Sequence, residues 1–144
     1  MYKFLLITML SFSINVYSQS PMSDDEIITI ETSEGNIIVH LDAKRAPITV
    51  KNFIDLIKSD YFDESIFHRV IQDFMIQGGG FDADMNDLES NSTIPNESGN
   101  GLSNLRGTIA MARTSDPHSA NAQFFINTKD NRSLNPNSGR WGYA

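Results

Sequence analysis

Residues 67–81, FHRVIQDFMIQGGGF, hold one histidine, one arginine and one carboxylate, Asp73, among Phe67, Phe74, Phe81, Met75 and three consecutive glycines. A hydrolase would place a nucleophile or a paired acid and base beside such a cation, and the window contains no serine, cysteine, lysine or glutamate. Strand alternation puts Ile66, His68 and Val70 on one face and Phe67, Arg69 and Ile71 on the other. The arginine therefore shares its direction with two large apolar side chains. Two readings stand at this point: Arg69 closes a salt bridge at the rim of a sheet, with His68 a hydrogen-bonded core residue, or the cation serves a site.

Other chemistries are less well served. A metal needs convergent ligands, but His40, His68 and His118 are single and far apart in sequence, so no metal site is expected. Ser115-Asp116-Pro117-His118-Ser119 contains the residue types of a serine-hydrolase triad. Neighbours within one turn do not line up as nucleophile, base and orienter, and a plain turn is the expectation. Gly78-Gly79-Gly80 lacks the lysine-serine pair and the following helix of a phosphate loop, and reads instead as a bulge or tight bend at a strand end. Triplets beginning at Asn91, Asn96 and Asn131 match N-glycosylation acceptors, which matter only in a glycosylating host.

The elements that must position these residues are short. Isoleucine, valine and threonine dominate residues 27–32 and 36–41, and Ser33-Glu34-Gly35 between them supplies turn chemistry, which predicts a β-hairpin. Pro47 is pre-set for a first helical turn, and Val50, Phe53, Ile54 and Ile57 recur at helical spacing through Lys58. Residues 66–71, 75–77, 108–112 and 123–127 are further short apolar runs separated by Gly, Asn, Ser and Asp. Short strands with one covering helix predict a closed or nearly closed antiparallel β-barrel. Residues 82–104 are polar and aperiodic, a long loop of the kind that serves function or moves. The final RWGYA starts what looks like another strand.

With 144 residues, 40% of them apolar and 10% aromatic, the chain supports one domain with a sizeable core. A net charge of −7 opposes nucleic acid, whose phosphates it would repel. There is no cysteine, so the fold rests on packing without disulfides and cysteine usage is silent on compartment. The first residues, MYKFLLITMLSFSINVYSQS, set Lys3 before an apolar run and end in small polar residues, the pattern of a secretory signal peptide. The run is shorter than the roughly 20 residues of a membrane-spanning helix, which leaves an uncleaved anchor as the alternative. The expected organisation is a signal peptide at 1–18, a linker at 19–26 and the domain at 27–144. The product is expected to be exported to the periplasm or secreted, a monomer, without nucleic-acid partner and without membrane contact once the signal is removed.

The opening window, together with residues 104–113 (NLRGTIAMAR) and 119–127 (SANAQFFIN), resembles the cyclophilin family of peptidyl-prolyl cis-trans isomerases, and most of all its compact bacterial members. The likeness runs from about Ile27 to the last residue. It implies a mainly β fold, the cyclophilin-like closed antiparallel barrel with a covering helix, whose C-terminal strand and second helix are not in this sequence. It also implies a non-covalent isomerase that needs no cofactor, accelerates rotation about Xaa-Pro bonds and assists folding of proline-containing peptides and unfolded clients. By matching positions Arg69 is the catalytic cation. Phe74, Met75, Phe125 and Leu134 line the slot for the proline ring, and His68, Gln77, Ala112 and Gln123 border the peptide path. Tyr143 stands where other members carry histidine and still offers a ring and a hydroxyl. Ser133 replaces an aromatic residue, which implies weak inhibition by cyclosporin, and Arg113 replaces a neutral side chain, which implies a preference for acidic substrates. A proline-directed binding module without turnover, and an interaction role for the loop 82–104, remain as alternatives.

Overall fold

A computed structural model describes residues 25–90 and 92–144. The alternation at the start of this region produces β1 (Asp25–Thr32) and β2 (Gly35–Asp42), an antiparallel hairpin closed by Ser33 and Glu34. Thr32 Oγ1 donates to the Gly35 carbonyl at 2.7 Å and accepts from the Glu34 N–H at 3.1 Å, and Gly35, the first residue after the turn, takes a positive φ of 122° that glycine adopts without strain. Ile28, Ile30, Val39 and Leu41 face inward. Asp25 and Glu26, expected in a linker, already pair with Asp42 and Leu41. The expected signal peptide and residues 19–24 lie outside the described residues.

Helix α1 (Pro47–Lys58) buries Val50 and Phe53. Its N-cap position is Ala46, which has no side-chain acceptor to offer. Glu97 replaces it from the distant loop, its carboxylate accepting from the Ile48 N–H at 3.2 Å, the Thr49 N–H at 2.8 Å and the Thr49 hydroxyl at 2.7 Å. A carboxylate at a helix N-terminus satisfies orphan donors and favours the helix dipole. The loop that looked aperiodic in sequence is thus fastened to the helix.

The second sheet has the antiparallel order β3 (Arg69–Ile71), β4 (Met75–Gly78), β6 (Phe124–Asn127), β5 (Ile109–Met111). β3 is shorter than the expected 66–71 run. The ladder breaks at Phe67, which packs on Phe124 at 5.9 Å between ring centroids, and pairing resumes beyond it with the Ile66 N–H on the Phe81 carbonyl and a bridge from Ser65 to Asp82. Both sheets bury against one core in which Leu41, Val50, Phe53, Met111 and Phe124 meet, with Phe53, Phe62 and Phe124 in mutual ring contact at 4.9–5.6 Å. Among the described residues the hydrogen-bonded ladders form two sheets, with an open groove of about 560 Å³ between β2 and β5. Residues 141–144 do not form the expected strand. A Cβ at Gly142 would lie 2.5 Å from the Pro136 nitrogen, so the segment is pressed against residues 135–136 and held by single bonds, including Met111 N–H to the Ala144 carbonyl at 2.7 Å.

Candidate active site

Strand register sets the site. Arg69 lies opposite Gln77, Gln77 opposite Phe125, and Phe125 opposite Ala110, so one row crosses all four strands. Directly opposed residues share a face of the sheet, so this row is also one surface. At its β3 end Arg69 is exposed, not buried among apolar groups as the sequence suggested, and an Arg69 Nη donates to Gln77 Oε1 at 3.1 Å. Gln77 Nε2 in turn donates to Gln123 Oε1 at 2.8 Å. Among the described residues the bond to Gln77 is the only hydrogen bond of the Arg69 side chain, and no carboxylate pairs with Arg69, which removes the rim salt bridge.

The three glycines give room to this relay. Gly79 adopts φ 76°, while Gly78 and Gly80 make space for Phe67 and Gln123: a Cβ would meet the Phe67 ring at 3.1 Å and the Gln123 carboxamide at 2.6 Å. The expected bend is present, and two of its glycines are also needed for close approach.

Beside the relay lies a second apolar cluster, distinct from the main core. Met75 (2% exposed), Ala110 and Phe125 (4%) form its floor, and Phe74, Ala112, Leu134 and Tyr143 pack around them. Alternation on β6 creates the separation, because Phe124 enters the core and Phe125 the cluster. Six predicted site residues, Phe74, Met75, Ala112, Phe125, Leu134 and Tyr143, therefore converge, and Arg69, Gln77 and Gln123 stand beside them as one hydrogen-bonded chain. His68 belongs to neither group. It packs on Phe81 at 4.7 Å between ring centroids, and its buried Nδ1 makes no hydrogen bond, unlike the hydrogen-bonded core residue that the salt-bridge reading expected. Burial pushes its pKa below the usual imidazole value and the neighbouring Arg69 charge adds to this, against an opposing contact with the Ile66 backbone.

Sequence reasoning missed the polar floor beneath the cluster. Asn127 (1% exposed) donates to Asn104 Oδ1 at 3.2 Å and to Thr108 Oγ1 at 2.9 Å, and accepts from Asn131 Nδ2 at 2.7 Å. Asn131 Nδ2 also reaches the Phe74 carbonyl at 2.7 Å, and Asn104 Nδ2 the Tyr143 carbonyl at 3.3 Å. Buried amides satisfied in this way tie two walls of the apolar cluster to one network. The available signal was the spacing of Asn127, Asn131 and Asn135 at four residues. Asn131, read as a glycosylation acceptor, is 7% exposed with its amide engaged, which excludes it in the folded chain. The 115–119 segment is the expected turn: Ser119 Oγ donates to the Asp116 carbonyl at 2.7 Å, and His118 Nδ1 accepts from the Asn96 N–H at 3.1 Å.

An apolar slot with a fixed guanidinium at its edge can seat a small ring and offer a charged donor to a group beside it. The model of the cyclophilin type peptidyl-prolyl cis-trans isomerase family matches residues 27–143. The chain belongs to the cyclophilin family. It is 53% identical over 120 residues to a peptidyl-prolyl cis-trans isomerase of Streptomyces antibioticus, covering 81% of this chain and 72% of that one. It is 51% identical over 117 residues to peptidyl-prolyl cis-trans isomerase A of Dickeya dadantii, covering 81% of this chain and 62% of the relative. Among solved structures, a cyclophilin type isomerase of Cryptosporidium parvum, determined in the presence of the dipeptide Ala-Pro, superposes with a TM-score of 0.66 at 28% identity, covering 82% of this chain and 75% of that one.

Family membership gives the geometry its reaction class, rotation about Xaa-Pro bonds. In this cyclophilin the bordering groups include the Arg69–Gln77–Gln123 chain, Tyr143 and Leu134. Ser133, where the resemblance led one to look for an aromatic side chain, is exposed, and its carbonyl accepts from an Arg140 Nη.

Proposed function

We propose that this cyclophilin accelerates cis-trans rotation about Xaa-Pro bonds in proline-containing peptides and unfolded chains, with Arg69 as catalytic cation and the Phe74, Met75, Phe125, Leu134 slot as holder of the proline ring. The observation that carries the proposal is the Arg69–Gln77–Gln123 chain ending beside that slot. Resonance holds the prolyl amide planar behind a barrier of about 18–20 kcal/mol. As the bond twists, the prolyl nitrogen becomes pyramidal and gains a lone pair, and a guanidinium N–H donating to it stabilises the twisted state more than the planar one. No proton changes hands, which accounts for the missing acid and base.

Magnitude divides the task. A charge-assisted hydrogen bond contributes roughly 1.5–3 kcal/mol, whereas a gain of about a million-fold needs about 8 kcal/mol. The remainder falls to the slot, which holds the ring while the preceding carbonyl turns. Burying one pyrrolidine yields only about 1.5–3 kcal/mol, and a millimolar complex needs about 4 kcal/mol, so binding is weak and tolerant of flanking sequence. Exchange spectroscopy on an Ala-Pro peptide tests the reading. Catalysed exchange that falls by about 100-fold in Arg69→Ala is expected. Equal exchange in the two proteins refutes the role of Arg69, and saturable binding without any exchange selects a binding module.

We further infer that the two sheets are staves of one closed barrel. In support, they share a core, and the 141–144 segment already lies along the open edge of β5. Export to the periplasm or outside the cell is inferred from Lys3 and the apolar run after it.

A further inference from the structure

Arg113 reads from sequence as a free cation at the peptide path, yet each nitrogen of its guanidinium already donates to a backbone carbonyl. Nε donates to the Gly142 carbonyl at 3.2 Å, one Nη to the Trp141 carbonyl at 2.9 Å, and the other Nη to the Thr114 carbonyl at 2.9 Å. The guanidinium carbon also sits 4.4 Å from the centre of the Tyr143 ring. Tyr143 in turn meets Phe125 nearly perpendicularly, with 5.7 Å between centroids and 79° between planes. We propose that Arg113 is a positioning residue: it clamps the 141–143 segment and so holds Tyr143 as a wall of the proline slot, without contacting substrate charge itself.

Several observations favour a clamp over a loose surface arginine. A planar fork matches two successive carbonyls in a way a lysine ammonium does not, and a guanidinium face on an aromatic ring adds attraction. Other groups fasten the segment from different directions. Gly142 N–H donates to Ser98 Oγ at 2.9 Å, its carbonyl also accepts from Asn96 Nδ2 at 3.0 Å, and Tyr143 N–H donates to the Leu134 carbonyl at 3.1 Å. Those bonds fix the backbone of 142–143, whereas Arg113 lies over the Tyr143 ring itself. Held by three carbonyls and the Tyr143 ring, the guanidinium does not reach a substrate carboxylate without breaking these contacts, so only a weak preference for acidic peptides is expected.

The proposal rests on the prolyl-isomerase reading of the slot, and peptide affinity separates the two. Arg113→Lys keeps charge and stem but loses the fork. Affinity for an Ala-Pro peptide, from NMR titration, is expected to fall about 3- to 10-fold and KM to rise alike, with kcat changed less than about twofold. Tyr143→Leu is expected to weaken binding similarly, and the double variant to be no weaker than the worse single one, since both act through one ring. Fluorescence of Trp141, the one tryptophan in the sequence, reports whether the segment shifts in Arg113→Lys. Additive losses, unchanged affinity in Tyr143→Leu, or a changed ratio of acidic to basic peptide binding with neutral-peptide affinity intact would each overturn the clamp. If the unaltered chain binds peptide without turning it over, catalysis falls, while an affinity loss in Arg113→Lys still upholds the clamp.

Discussion

A Cβ at position 80 would lie 2.6 Å from the carboxamide of Gln123, so the bareness of Gly80 is what lets Gln123 reach Gln77. Through Gln77 the same space governs Arg69, two strands from Gln123 in the sheet. A backbone glycine thus sets the aim of a guanidinium it never touches.

Gly80→Ala is therefore expected to fold, because the half-buried Gln123 side chain can give way. Its kcat should drop by about 10-fold as the relay loses about one hydrogen bond of orientation. Exchange rates at saturating peptide, set beside the melting temperature, check this. A wild-type kcat would show that the relay does not position Arg69.

Asn127→Ala removes the centre of the buried amide network and takes from Asn104 Oδ1 its donor and from Asn131 Nδ2 one of its two acceptors. Each buried orphan costs about 1–3 kcal/mol, so a loss of about 3 kcal/mol in unfolding free energy is expected by urea titration. A loss under about 0.5 kcal/mol would mean that water replaces the amide freely.

His68 links stability to pH. Its folded pKa is held below the ordinary value of 6.5 by burial first and by Arg69 second, so the unfolded chain binds its proton more readily. The contribution is fully present above pH 6.5 and is lost as pH falls toward and through the folded pKa. Subtracting His68→Gln from wild type across about pH 8 to about pH 5 isolates this group from the carboxylates. The difference should move against the wild type as acidity rises. A flat difference would indicate that the imidazole is solvated.

The hairpin and the helix were legible because each depends on a local pattern, alternating isoleucines and the helical spacing of Val50 and Phe53, whereas the clustering of Phe74, Met75, Phe125 and Leu134 was anticipated only through the family resemblance. What was not legible depends on long-range pairing. Nothing near Ala46 announces that Glu97 will cap α1, and nothing near Arg113 announces that two carbonyls at 141 and 142 will absorb its fork. Phe67 and Arg69 share a strand face on paper, but Gly78 opens a space that draws Phe67 into the core and leaves Arg69 at the surface. Alternation predicts direction only while the ladder continues.

Phe124 and Phe125 are identical neighbours that β6 assigns to different tasks, one to the aromatic core and one to the slot. The half-buried positions around Phe125, such as Phe74, Ala112 and Leu134, can therefore vary while the rings around Phe124 keep the chain folded. Because most substitutions destabilise and selection removes only those below a threshold, such a partition leaves the recognition surface free to diversify among lineages at small cost to the scaffold.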